Sequence, residues 1–208
     1  TANSNMPITD VEKLEVIENA TKAYEAYLDA LRIDWRNDPN SSDTPRRVAK
    51  AFVNDLASGC YDEAPRITAF PSDGYDGMVF QGGIPVKSLC SHHHLSFTGV
   101  AHVAYIPSLT GKVVGLSKLN RIVEHYASRP QIQEGLTVQI QKAIDDMCVG
   151  NKGVAVEISA SHTCACLRGV KHDGCEMKTA RLSGDFLSDA ATRNEFYSFV
   201  AQWHANRR

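Results

Sequence analysis

Apolar residues recur three and four apart in several stretches and alternate in others, and that switch of period predicts a mixed α+β chain. Thr9-Asp10-Val11-Glu12 has the form of a capping box, so an amphipathic helix should run from there to about Ile33. Residues 1–8 carry no pattern and read as unstructured. Thr44 reads as the N-cap of a second helix with Pro45 at its first position, burying Val48, Phe52 and Leu56 and ending at Gly59. Strand-like runs cover about 77–90 and 95–107, and Pro107 to Gly111 reads as a hairpin-type turn. Ser117 reads as the N-cap of a helix to about Ser128, with Leu119, Ile122, Val123 and Tyr126 as its apolar stripe. Pro130 interrupts the chain. A helix over about 131–148 should bury Ile132, Leu136, Ile140, Ala143, Ile144 and Met147.

Val154, Val156, Ile158 and Ala160 then alternate as one face of a strand. If that strand continues unbroken, the same face carries His162, Cys164, Cys166 and Arg168. A strand or loop near 176–187 and a helix from about Asp189 complete the chain. The expected organisation is a helical segment over 1–60 and a catalytic α+β domain over 61–208, acting as one functional unit.

Composition narrows the class without choosing a function. The chain has 208 residues, 43% of them hydrophobic and 22% charged. That suits a globular domain of ordinary size. A formal net charge of −2 argues against a general nucleic-acid or membrane-surface binder. Six cysteines are too few for a disulfide scaffold and read as reduced thiols, so a cytoplasmic protein is expected. No apolar run is long enough to span a bilayer.

Two short segments carry the candidate chemistry. Cys90-Ser91-His92-His93-His94 and His162-Thr163-Cys164-Ala165-Cys166 both offer thiolates and imidazoles, the ligands that Zn²⁺ prefers. Cys90 and His93 form a C-x-x-H pair, and Cys164 can close a three-ligand site with an open fourth position. His92 and His162 are then spare imidazoles suited to proton transfer. Three readings stand at this level: a catalytic metal, a closed structural Cys₂His₂ zinc, and core residues without a metal. Cys166 is a rival ligand that spacing does not exclude.

Other polar residues have competing readings. Lys118 and Arg121 at the start of a helix oppose its dipole, which suits either an anion bound there or ordinary surface cations. Gln133 and Glu134 can read a guanine edge or simply favour a helix start. Arg47 and Lys50 read first as a solvated face.

The motifs together resemble one family. Asp43-Thr44-Pro45-x-Arg47, Cys90-x-His92-His93, the run from Gly115 to Val123, Arg129-Pro130-Gln131-Ile132-Gln133-Glu134 and His162-x-Cys164 with Arg168-Gly169 occur in the order found in GTP cyclohydrolase I. The resemblance covers about residues 10–205. It implies the tunnelling fold, an antiparallel sheet with helices on one side. It implies a homo-oligomer, a decamer of two stacked rings with active sites at subunit interfaces. The implied reaction converts GTP to formate and 7,8-dihydroneopterin triphosphate, the first step toward folates, pterins or deazaguanines.

By resemblance Cys90, His93 and Cys164 hold zinc, and His162 and His92 move protons. Gln133 and Glu134 read guanine. Lys118, Arg121 and Arg168 bind the triphosphate, with Arg47 and Lys50 contributing, and Ser117 is a catalytic residue near the ribose and phosphates with a role in the later sugar rearrangement. Ser91 stands where many members have Glu, and His94 and Cys166 add donors beside the site. The competing expectations are another tunnelling-fold enzyme, such as a nitrile reductase, and a non-catalytic purine-nucleotide-binding protein.

Overall fold

The computed structural model describes residues 6–66 and 68–207, so most of the stretch expected to be unstructured, residues 1–5, lies outside the described residues. The chain forms two compact units, Thr1–Glu63 and Ala64–Arg208.

In the first unit the capping box is formed. Glu12 accepts from the Thr9 backbone N–H at 2.7 Å, and α1 runs over Asp10–Ala30. Helix α2 is Thr44–Ala51, with Asp43 rather than Thr44 as its cap residue. Its buried line is Pro45, Ala49 and Val53, not Val48, Phe52 and Leu56. The helix widens after Ala51 into a π turn over Phe52–Leu56, closed by the Ala57 N–H on the Phe52 carbonyl. That wider turn carries Leu56 outward, where it is 45% exposed. Ile17 of α1 packs with Ala49 and Val53.

The second unit is built on a five-stranded sheet. Its strands are β2 (Val79–Cys90), β3 (Ser96–Ile106), β5 (Pro130–Gln131), β6 (Gly153–His162) and β7 (Glu176–Leu182), in the order β5-β2-β3-β6-β7. All pairs are antiparallel except β5, which adds parallel to β2 at Leu89 and Cys90. A two-stranded sheet pairs β1 (Ala69–Pro71) with β4 (Lys112–Val114). Helices α3 (Leu116–Ala127) and α4 (Gln133–Met147) cover one face.

The alternation of β3 explains the layers. Phe97, Ala101, Val103 and Tyr105 join Leu119, Ile122, Leu136, Ile140 and Ile144 in one core. Burying each of these Leu and Ile side chains contributes about 1.5–3 kcal/mol. Ala104 and Ile106 point the other way and meet Phe186, Phe196 and Val200. Those residues belong to α6 (Asp185–Ser188) and α7 (Ala190–Ala205), the latter capped by Asp189 as expected. Helices therefore lie on both faces, and the expectation of one helical side holds for α3 and α4 alone. The small side chains of Ala104 and Ala155 let α7 sit down on the sheet. At its end the Trp203 ring occupies the space over Gly83, where φ is +71° and a Cβ would lie 2.0 Å from the ring. Gly83 falls at a bulge in β2, between Gln81 and Ile84.

Under α7 the sheet presents polar groups. His102 is fully buried, with its Nε2 4.0 Å from the Glu157 carboxylate and its ring beside Trp203 and His204. Burial, then the His204 and Lys178 charges, pulls His102 from 6.5 down to about 4. The unfolded chain binds this proton below pH 6.5 and the folded chain does not, so stability is lost as pH falls from 6.5 toward about 4. The full difference is on the order of 3 kcal/mol. Burial raises Glu157, which acts with the opposite sign and shallows the slope. Thermal melting should show Tm falling from pH 7 to pH 5, and His102→Gln should flatten that fall. An unchanged slope in the variant would remove His102 as its source.

Candidate metal and nucleotide site

The site gathers where β2 and β6 end. Cys90 closes β2, and the chain reverses through Ser91, His92 and His93 before β3. The His94 N–H donates to the Cys90 carbonyl at 2.8 Å, and His94 takes a positive φ of 53°. His162 closes β6, paired with Phe97, and the two rings stack at 4.5 Å.

The strand does not continue. Residues Thr163–Cys166 form a single helical turn, α5, tied to β3 by the Thr163 hydroxyl donating to the Ser96 carbonyl at 2.6 Å. This breaks the parity expected for Cys164, Cys166 and Arg168. Cys164 turns toward the core and Cys90, whereas the Cys166 thiol lies 3.6 Å from the Ser161 hydroxyl.

Cys90, His162 and Cys164 each put one ligand atom within 4.8 Å of the others, and no second group does so among the described residues. Burial and then the neighbouring Cys90 raise the Cys164 thiol, the state of two thiols sharing a pocket. Two soft sulfurs and an imidazole this close are a donor set that fits zinc. His92 stands by, its Nδ1 3.6 Å from the Cys90 sulfur. His93 lies outside the group, and its Nε2 accepts from the Arg168 guanidinium at 2.8 Å. Burial lowers His162, partly offset by the Glu134 carboxylate.

Gln133 does not face outward. It is 1% exposed and its side chain is used inside the protein, on strand carbonyls and on the His162 ring at 2.8 Å. Glu134, the next residue, is exposed. The two neighbours therefore face different environments, because a helix turns about 100° per residue.

Ser117, Lys118 and Arg121 lie in the first turns of α3 and line no part of the thiol–imidazole group. The cap residue is Gly115 rather than Ser117, and Ser117 and Arg121 are exposed. Lys118 reaches the Arg66 carbonyl at 3.2 Å. Arg47 and Lys50 belong to the first unit, on α2, where Arg47 pairs with Asp43 at 3.1 Å. Sequence reasoning missed Phe97, Thr137 and Thr179 as supports of the His162 and Gln133 side chains. A threonine one turn after Gln133 was the single local hint, and the strand partners left none.

A family model described as GTP cyclohydrolase I matches residues 20–201. Similar curated proteins bear the name GTP cyclohydrolase 1. That of Alkalilimnicola ehrlichii is 46% identical over 173 residues, covering 80% of this chain and 91% of its own. That of Dehalococcoides mccartyi is 44% identical over 164 residues, with 78% and 85% covered. That of Aeromonas salmonicida is 41% identical over 187 residues, with 89% and 83% covered. The fold and site define an α+β protein with a Cys–His–Cys centre. This chain belongs to the GTP cyclohydrolase I family. No helix among the described residues is long and apolar enough to cross a membrane.

Proposed function

We propose that this protein hydrolyses GTP to formate and 7,8-dihydroneopterin triphosphate, at a zinc centre formed where β2 and β6 end. The observation that carries the reading is the meeting of two thiols and an imidazole beside the exposed carboxylate of Glu134, in a chain of this family. Cys90 and Cys164 are the two sulfur ligands. His93, on the same turn as Cys90, is the third ligand, and ligation through the Nε2 that accepts from Arg168 would free that guanidinium. His162 is left to move protons, since a ring nitrogen that ligates a metal cannot also carry the proton. When bound, the metal supplies a Lewis acid that lowers the pKa of water into the neutral range.

The other steps belong to the chain's own groups. His162 protonates the imidazole-ring nitrogen of guanine as the ring opens, and His92 serves the later release of formate. Glu134 accepts from the donor edge of guanine. Arg168, freed from His93, takes phosphate oxygens together with Lys118 and Arg121, as charged donors with anion-binding helix N–H groups behind them. Arg47 and Lys50 add positive charge, and Ser117 lies near the ribose.

Those groups are spread over separate elements, which suits a site completed between copies in a ring of tunnelling-fold subunits. The outer edge of β7 has no partner strand among the described residues, so a neighbouring copy can extend the sheet there.

The test is to incubate metal-analysed protein with GTP and to measure formate and, after oxidation, a fluorescent pterin. Both products should appear together, and chelation should stop both. Binding of GTP without formate would instead support a nucleotide-binding protein of the same fold.

A further inference from the structure

We propose that Gln133 is a positioning residue that locks the His162 imidazole in one tautomer, and that it does not read guanine. The inference rests on the proposed cyclohydrolase reaction for its consequence, and on hydrogen-bond directions for its substance. The Gln133 amide nitrogen lies 3.0 Å from the Ile158 carbonyl, 3.0 Å from the Met177 carbonyl and 3.1 Å from the Thr179 hydroxyl. Carbonyl oxygens only accept, so this end of the amide must be its NH₂ group. The other end, Oε1, is therefore the atom that faces His162 Nε2 at 2.8 Å.

The hydroxyls agree with this assignment. Thr137 donates its one proton to the Gln133 backbone carbonyl at 2.8 Å. In the 2.6 Å contact between the two threonines Thr179 is then the donor, and its oxygen is left to accept from Gln133. Gln133 is 1% exposed, so no guanine edge reaches its amide without dismantling this network.

An amide oxygen cannot donate. His162 Nε2 must therefore carry the hydrogen, and the neutral ring keeps its lone pair on Nδ1. Phe97, stacked on the ring at 4.5 Å and tilted by 7°, fixes the plane in which Nδ1 points. One nitrogen is thereby anchored in the protein, and the other is free to take up a proton and pass it to the substrate. A histidine free to exchange tautomers would spend part of its time with the wrong nitrogen protonated. Guanine selection falls to Glu134 without its neighbour.

The experiment uses Gln133→Met, which keeps length and removes both hydrogen-bonding ends. Glu134→Gln is the contrast. Turnover per bound metal is measured with GTP and with inosine triphosphate, which lacks the 2-amino group, on preparations with matched melting curves. Gln133→Met should lower kcat about 10–100-fold, as loss of an orienting partner does. Its KM for GTP should stay within about twofold, and its GTP-over-inosine preference should be unchanged. Glu134→Gln should raise KM and lose the preference.

A raised KM or lost base preference in Gln133→Met, with kcat intact, would overturn the proposal by placing the amide on guanine. So would an unchanged kcat in Gln133→Met at an unchanged KM, which would leave the amide without a part in the reaction. Wild-type protein without formate release would instead fail the cyclohydrolase reading, a result visible before any variant is made.

Discussion

Cys90→Ser and Cys164→Ser should each release the metal and reduce formate production to background, while Cys166→Ser keeps both. The sulfurs of Cys90 and Cys164 belong to one group within 4.8 Å, whereas Cys166 is turned toward Ser161 by the helical turn after β6. A serine hydroxyl keeps the shape but is a poor zinc ligand, so occupancy rather than folding is the expected loss. The two imidazoles separate in the same assay. His93→Ala should lose metal. His162→Ala should keep metal and GTP affinity, with formate release lower by about 10²–10⁴-fold, the usual contribution of a proton-transfer group. Metal analysis, nucleotide binding and formate release on the same preparations decide it. If His162→Ala empties the site and His93→Ala does not, then Cys90, His162 and Cys164 are themselves the ligand set.

Gly99→Ala should be the most damaging single methyl in the sheet. Gly99 on β3 pairs with Ala160 on β6, and a Cβ there would lie 1.9 Å from the Ser159 carbonyl oxygen and 2.6 Å from the Ala160 Cα. Both obstacles are backbone, which cannot rotate away as a side chain does. The strands must part locally, costing hydrogen bonds and packing next to the end of β6 that carries His162. A loss of about 3 kcal/mol is expected, at the upper end for overpacking. Denaturant unfolding should show a lower midpoint with an unchanged slope. Metal affinity should weaken too, because Cys90 and Cys164 are brought together by β3 and β6 holding their register. A midpoint within experimental error of wild type would show that the sheet opens there at little cost.

Much of the architecture was legible because it depends on local patterns. The capping box at Thr9, the stripe of Leu119, Ile122 and Val123, and the alternation of Val154, Val156 and Ile158 all predicted elements that formed. The errors have particular causes. In α2 the buried line already runs through Pro45 and Ala49 before the π turn, which then carries Leu56 outward, and bond ladders of that kind leave no mark in hydrophobic spacing. The helix expected from about 131 starts at Gln133, because Pro130 and Gln131 pair with Leu89 and Cys90 instead. The helix expected to begin at Ser117 is capped by Gly115.

The sequence by itself determined which residues could do chemistry. Two segments rich in thiols and imidazoles, an acidic residue at a helix start and scattered cations are properties of composition and spacing, and their order along the chain marks the family. Tertiary structure alone decided which way those side chains turn. His162 ends its strand because the Thr163 hydroxyl finds the Ser96 carbonyl, and this brings Cys164 to Cys90 and sends Cys166 away. Gln133 and Glu134 are neighbours of similar polarity, yet one is buried on β6 and β7 and the other exposed. Helix α7 covers the second face of the sheet because small residues on β3 and β6 leave room for Phe196. Each of these outcomes joins segments far apart in the chain. Whether a polar group finds a partner when buried is settled there, and no local pattern records it.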